Sequence, residues 1–243
     1  MKKVLIAAAV ATAFFAQGAK AQTNLQTFWD FGRGHVTTTL EAHGDNWGDT
    51  FFFVDYDYNS KNSDGKFIGV SGSYFEIARG LNFWKDSVLK DLSAHVEYNG
   101  GVGFGSQNFL LGADYLLHNA DYSNTFKFSL MYKTFSGNAS SDTPLQFTFV
   151  WGMKNIFGVD GLTFSGFADI WGENTKFWYA DPVDKQAEEG KFIFISEPQL
   201  WYNVGKHFGV DNLNIGTEIE LSYNFAGNHG FYCRPCLGTK WVF

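Results

Sequence analysis

Residues 213–225, LNIGTEIELSYNF, alternate without a break. Leu213, Ile215, Thr217, Ile219, Leu221, Tyr223 and Phe225 share one parity, and Asn214, Gly216, Glu218, Glu220, Ser222 and Asn224 share the other. A period of two marks an extended strand whose successive side chains point to opposite faces. Such a strand needs an apolar surrounding on one side and a wet one on the other. Extended, it reaches about 44 Å, whereas a tilted strand needs only ~9–11 residues to cross hydrocarbon.

The design recurs along the chain. TFKFSLMYKTF (125–135) sets Phe126, Phe128, Leu130 and Tyr132 against Lys127, Ser129 and Lys133. LQFTFVWGMK (145–154) and SAHVEYN (93–99) alternate in the same way, while Leu110 and Leu116 interrupt the polar face of 107–118. Twelve strands are expected, near 24–32, 34–43, 49–59, 66–79, 91–101, 106–118, 123–136, 144–155, 161–173, 190–204, 211–226 and 230–243. Polar and glycine-bearing stretches separate them. Residues 81–92 read as a loop with a short helical turn, and ADPVDKQAEEG (180–190) as an outer loop. The expected fold class is all-β, a transmembrane antiparallel up-and-down β-barrel of about 12 strands. An even strand number lets the first and last pair, leaving no open edge in lipid. The competing reading is a soluble barrel or sandwich.

Composition favours the membrane. Mean hydropathy is only −0.17, and beyond residue 21 no 18-residue apolar run offers a transmembrane helix. Yet the chain carries 27 Phe, 11 Tyr and 8 Trp, more rings than a soluble domain of this size buries easily. A membrane barrel sets them against lipid and in interfacial girdles. The first residues, MKKVLIAAAVATAFFAQGAKAQ, carry Lys2 and Lys3, an apolar run and Ala19-Lys20-Ala21. That is the pattern of a secretory signal peptide over 1–21, leaving a barrel over 22–243 in the outer membrane of a Gram-negative bacterium. Without Lys2, Lys3 and Lys20 the 18 basic residues become 15 against 25 acidic ones, a net charge of −10, which disfavours nucleic acid as a partner. Leu237, Trp241 and Phe243 share a parity, so the last strand is expected to end in the lower aromatic girdle. A terminal Phe is also the mark that the outer-membrane assembly machinery reads.

Parity places carboxylates inside the barrel, and rings with them. Phe28 accompanies Asp30, Phe51 and Phe53 accompany Asp55 and Asp57, and Phe167 and Trp171 accompany Asp169 and Glu173. Rings in a wet bore cost hydrophobic free energy. They are kept either to stack flat solutes or to plug a narrow barrel.

LEAHGDNWGDTFFFVDYD (40–57) resembles the Tsx-like nucleoside channels of bacterial outer membranes. The shared pattern is an acidic residue in an outgoing strand, here Glu41, then Trp47, Asp49, Phe51, Phe53 and Asp55 in the next. GFADIWGE (166–173) is a second echo. The resemblance implies a monomeric twelve-stranded barrel with a narrow pore that passes nucleosides by stacking, with Phe51, Phe53 and Asp55 as leading pore residues. The full candidate set is Phe51, Phe53, Asp55, Phe28, Glu41, Phe167, Asp169 and Trp171. The expected partners are nucleosides or similar small solutes, outer-membrane lipids and the assembly machinery, with no cofactor and no metal.

Cys233 and Cys236 stand in FYCRPCL. No βαβ context supports a thioredoxin-like motif, and two thiols are too few for a metal. A disulfide in an oxidising envelope stays open as the reading of the pair. Ser, His and Asp are scattered without a Gly-x-Ser-x-Gly elbow, so catalysis is not expected. The alternatives to a channel are a plugged barrel with a structural or surface-interaction role and an outer-membrane lipid-modifying enzyme.

Overall fold

The computed structural model describes residues 24–42, 48–102, 107–137, 139–178 and 187–243. The expected signal peptide lies outside the described residues, as do Trp47 and the side chain of Glu41. Twelve strands build one wall: β1 (Asn24–Asp30), β2 (His35–Ala42), β3 (Gly48–Tyr58), β4 (Gly72–Leu81), β5 (Leu92–Val102), β6 (Asn108–His118), β7 (Asn124–Lys133), β8 (Leu145–Lys154), β9 (Leu162–Trp178), β10 (Ala187–Ser196 and Gln199–Tyr202), β11 (Leu213–Tyr223) and β12 (Phe231–Val242). Each pairs antiparallel with its neighbours in sequence. β1 then pairs with β12, Asn24 opposite Val242 and Asp30 opposite Cys236, so the sheet closes on itself. Closure satisfies every strand's ladder, the condition for a sheet to sit in hydrocarbon. Among the described residues no helix is long and apolar enough to cross a membrane.

Alternation decides the two faces. β1 reads buried at Asn24, Gln26, Phe28 and Asp30, and exposed at the residues between. Trp29, Val96, Phe109, Leu130, Ile215 and Leu237 stand exposed on the outside, the apolar band that lipid would cover. Phe243 is also exposed beyond the end of β12.

The structure departs from the sequence reading in three places. Residues 66–79 are not one strand: Phe67–Gly69 pairs with Ser60–Lys61 as a small hairpin outside the barrel. The chain then folds back as the Ser71 amide and hydroxyl both donate to the Asp57 carbonyl, at 2.8 and 3.1 Å. Residues 82–91 form the expected loop, a run of turns tied by Trp84 Nε1 donating to the Leu92 carbonyl at 2.7 Å. β9 runs to Trp178, seventeen residues, with a register shift between Gly172 and Thr175. Pro198 interrupts β10 because it lacks an N–H. The wall holds there because the Glu197 amide donates to Phe167 and the Ile219 amide donates to Pro198.

The disulfide reading of Cys233 and Cys236 is overturned. Both thiols are free, Cys233 exposed and Cys236 buried. Three residues apart on an extended strand, they point to opposite faces and lie about 10 Å apart along it, beyond the reach of a disulfide. A membrane-permeant maleimide is expected to modify Cys233 alone in the folded protein, with no change in the labelled mass after prior reduction. Labelling that requires reductant would contradict this arrangement.

Candidate functional site: the bore

Every strand of the wall sends alternate side chains inward. The paired register carries that face around the barrel: Phe28 opposite Thr37 and Thr37 opposite Asp57, Phe53 opposite Glu76 and Glu76 opposite Asn99. The interior is polar and charged, as the sequence parity requires, but its rings are not all presented to a solute.

Phe28 and Trp201 lie against the inner wall, only 3% and 2% exposed, with ring centroids 5.6 Å apart. Glycines make this possible. A Cβ at Gly238 would fall 2.7 Å from the Phe28 ring, and one at Gly216 would collide with both the Trp201 ring and the Leu200 carbonyl. The Trp201 indole N–H donates to Gln199 at 2.7 Å, and Gln199 donates to Glu218 at 2.5 Å. The Lys240 ammonium caps the indole face at 4.4 Å. Trp171 is also packed, 8% exposed, against Ile193 and Ile195, with Phe135, Phe167 and Phe225 around them. Its N–H donates to Glu173 at 2.8 Å, and the Lys133 ammonium sits 4.0 Å over its ring. As open stacking platforms, therefore, Phe28 and Trp171 are corrected: both are wall residues, because each ring buries more area flat on the barrel than standing in water.

Phe51 and Phe53 remain half-exposed to the bore. Their centroids are 5.5 Å apart, and Tyr74 of β4 extends the row 5.6 Å beyond Phe53. Thr39 donates its hydroxyl to Asp55 just above them. The backbone of Glu41 stands opposite Phe53. Across the barrel, Asp169 stands opposite Thr148 of β8 and Ile195 of β10.

The charged groups pair in clusters. Lys127 donates to Asp49 at 3.3 Å. Beside that pair, where a Cβ at Gly80 would meet both Asp49 and Asp114, His95 lies between two carboxylates, 2.9 Å from Asp114 and 3.1 Å from Glu97. Asn99 donates to Glu97 at 2.7 Å, and Asn108 donates to Asn99 at 2.8 Å. At the end formed by the β1–β2 turn, Arg33 donates to Asp30 at 2.8 Å and to Glu220 at 2.6 Å. Arg234 donates to the other oxygen of Glu220 at 2.6 Å. The turn is folded close onto this cluster: a Cβ at Gly32 would fall 2.6 Å from the Arg234 side chain. Outside the wall, hydrogen bonds from Asn174 and Lys191 hold the Asp142 carboxyl below the usual carboxylate range.

Tyr74, Glu76 and Arg33 were not among the sequence candidates. Tyr74 and Glu76 alternate with Phe75 and Ile77, a signal hidden when 66–79 is taken as a single strand. Arg33 lies in a Gly-Arg-Gly turn, where no periodicity speaks.

Fold and bore together define the class: a closed, twelve-stranded antiparallel β-barrel with a charged interior. The chain belongs to the family described as "Domain of unknown function (DUF5020)", whose model matches residues 22–243. Among solved structures it is similar to a NanC porin, at 8% identity and a TM-score of 0.53, over 90% of this chain and 98% of that one. It is also similar to a KdgM porin, at 8% identity and a TM-score of 0.49, over 91% and 99%. No curated protein matches the sequence.

Proposed function

We infer that this protein is a passive channel of the outer membrane for small polar solutes, nucleosides among them. The observation that carries the reading is the division of one closed wall into an exposed apolar outer face and a charged, hydrogen-bonding inner face. A structural shell has no need of a polar interior, since burying unpaired charge is costly, whereas a solute path requires one. Export through a signal peptide fits with it, the family match beginning at the residue after the expected cleavage point. No chemical step is involved: a solute exchanges hydrogen bonds with lumenal carboxylates and lysines as it passes.

Nucleosides are the finer form of the proposal. The resemblance of 40–57 to nucleoside channels supports it, together with the half-exposed row of Phe51, Phe53 and Tyr74. Stacking on such rings is worth about 1–3 kcal/mol per base, enough to prefer a nucleoside over a sugar of similar mass. Liposomes carrying the protein are expected to take up nucleosides faster than such sugars, and Phe53→Ala is expected to reduce that preference about tenfold. Equal uptake in both proteins would remove the nucleoside claim and leave the channel. One observation favours a closed barrel: Glu97, Asp114, Lys133 and Trp201 are buried in the bore. Zero conductance from folded protein in planar bilayers would select that reading.

A further inference from the structure

We propose that a groove on the outer wall, beneath the hairpin of residues 59–70, holds an acyl chain of a phosphate-bearing lipid, with Lys61 and Lys66 of that hairpin taking the phosphate. The site rests on the membrane placement given above and not on the passage of solutes.

The groove starts from the end of β3. Tyr58 lies opposite Val36 of β2, and Val36 lies opposite Trp29 of β1. All three have the outward parity, since their chain neighbours Asp57, Thr37 and Phe28 make up the inner face. The small hairpin of Ser60–Lys61 and Phe67–Gly69 then leans over β1 and β2. Trp29, Val36, Thr38, Tyr58, Lys61 and Phe67 together line a groove of about 460 Å³, within the span of small-ligand sites, about 300–1,000 Å³. Three rings and a valine make most of that lining, and the Thr38 hydroxyl is turned to Tyr58, donating at 3.4 Å. Such walls suit hydrocarbon. The groove opens on the apolar band where Trp29 stands exposed, so the medium that reaches it is lipid.

The hairpin has an apolar stem and a charged tip. Phe67, Ile68 and Val70 are all exposed. Phe67 and Ile68 are successive on a strand and point to opposite faces, so apolar side chains stand uncovered on both. A two-stranded hairpin is marginal in water, whereas acyl chains would cover both faces of this one. The tip is held by its own bonds. The Asn62 side-chain oxygen accepts from the amides of Asp64 and Lys66 at 3.1 and 2.9 Å, and the Gly65 amide donates to the Asn62 carbonyl at 2.9 Å. Lys61 and Lys66 flank this tip, and neither ammonium has a hydrogen bond or ion pair among the described residues. The charges around them leave a surplus. Asp64 is the one carboxylate between the two lysines. Asp57 is turned inward, accepting from Thr37 and meeting His35, each at 3.1 Å. Arg33 of the β1–β2 turn is bound to Asp30 and Glu220. Lysines at a membrane surface attract anionic headgroups, and a phosphate lipid supplies chain and anion together.

Three probes separate chain from phosphate: phosphatidate, diacylglycerol with the same chains, and glycerol phosphate. Each is titrated against the full mature protein in detergent and read by native mass spectrometry. Phosphatidate is expected to bind about tenfold more tightly than diacylglycerol, and glycerol phosphate more weakly than either. The Lys61→Gln, Lys66→Gln double variant should bring phosphatidate down to the level of diacylglycerol. Thr38→Trp fills the groove from the lipid side and should displace both, while heat-modifiable mobility reports that the variant has folded. A second groove on the outer wall, between Met153 and Phe164, has Lys154 beside it, and Lys154→Gln should leave the preference for phosphatidate intact. The assignment is overturned if phosphatidate and diacylglycerol bind alike, if folded Thr38→Trp retains phosphatidate, or if Lys154→Gln costs as much as the double variant. Glycerol phosphate binding as tightly as phosphatidate would make the tip a free-anion site and overturn the lipid. A dimer that Thr38→Trp splits into monomers would put a second copy in the groove, with the same consequence. A chain that stays folded and dissolved without detergent would fail the membrane reading, and this site with it.

Discussion

Replacing Gly216 by Val is expected to abolish the folded barrel or to leave it several-fold less populated. The reason is local and steric. On β11, Gly216 faces inward, and the Trp201 indole of β10 lies flat over it. A side chain there meets a neighbouring strand's carbonyl as well as the ring, so turning one rotamer does not relieve it. Overpacking a tight interior costs about 1–3 kcal/mol, occasionally more, and here the displaced indole also loses its bond to Gln199 and its cap by Lys240. The heat-modifiable mobility of the folded protein in gel electrophoresis, after refolding into detergent, measures the outcome. Gly238→Ala should be milder, since the Phe28 ring can move while the backbone contact there is looser at 2.6 Å. Equal folding of Gly216→Val and wild type would mean that the flat packing of Trp201 does not shape this wall.

The same glycines show what could be read in the sequence and what could not. Alternation in 213–225 fixes which residues of β11 face inward, and the structure keeps each of them there. Strand number, closure and the two faces follow from such periods, because a strand's side chains have only two directions. Periodicity does not say how a ring lies once inside. Phe28, Phe53, Trp171 and Trp201 have equal standing by parity, yet only Phe53 among them stays half-exposed. The difference lies in cross-strand partners: Trp201 and Phe28 have glycines beneath them on neighbouring strands, a fact of register rather than of local pattern. Cys233 and Cys236 teach the same lesson in reverse, since their spacing suggests a pair only until the strand places them on opposite faces.

Removing the carboxylate of Glu220 is expected to destabilise the barrel by about 3 kcal/mol, toward the low end of what breaking a buried ion pair costs. Glu220 is buried, and it accepts from Arg33, Arg234 and Ser222. In Glu220→Ala, Arg234 stays in the wall without its carboxylate, keeping a long contact to Ser222 at 3.4 Å and its place over the Tyr232 ring at 4.4 Å. Arg33 is about a third exposed and keeps Asp30, so its share is discounted for solvent screening. Glu220→Gln retains acceptor and shape and should lose less, and Arg33→Ala less again, because Arg234 keeps Glu220. The effect should also be directional. The β1–β2 turn rests on the Arg234 side chain at Gly32, so amide exchange at 31–34 should quicken in Glu220→Ala more than exchange at the opposite end of the barrel. Denaturant unfolding in detergent reads the first effect and hydrogen exchange the second. A variant as stable as wild type, with unchanged exchange in the turn, would show that these charges hydrate the mouth without fastening it.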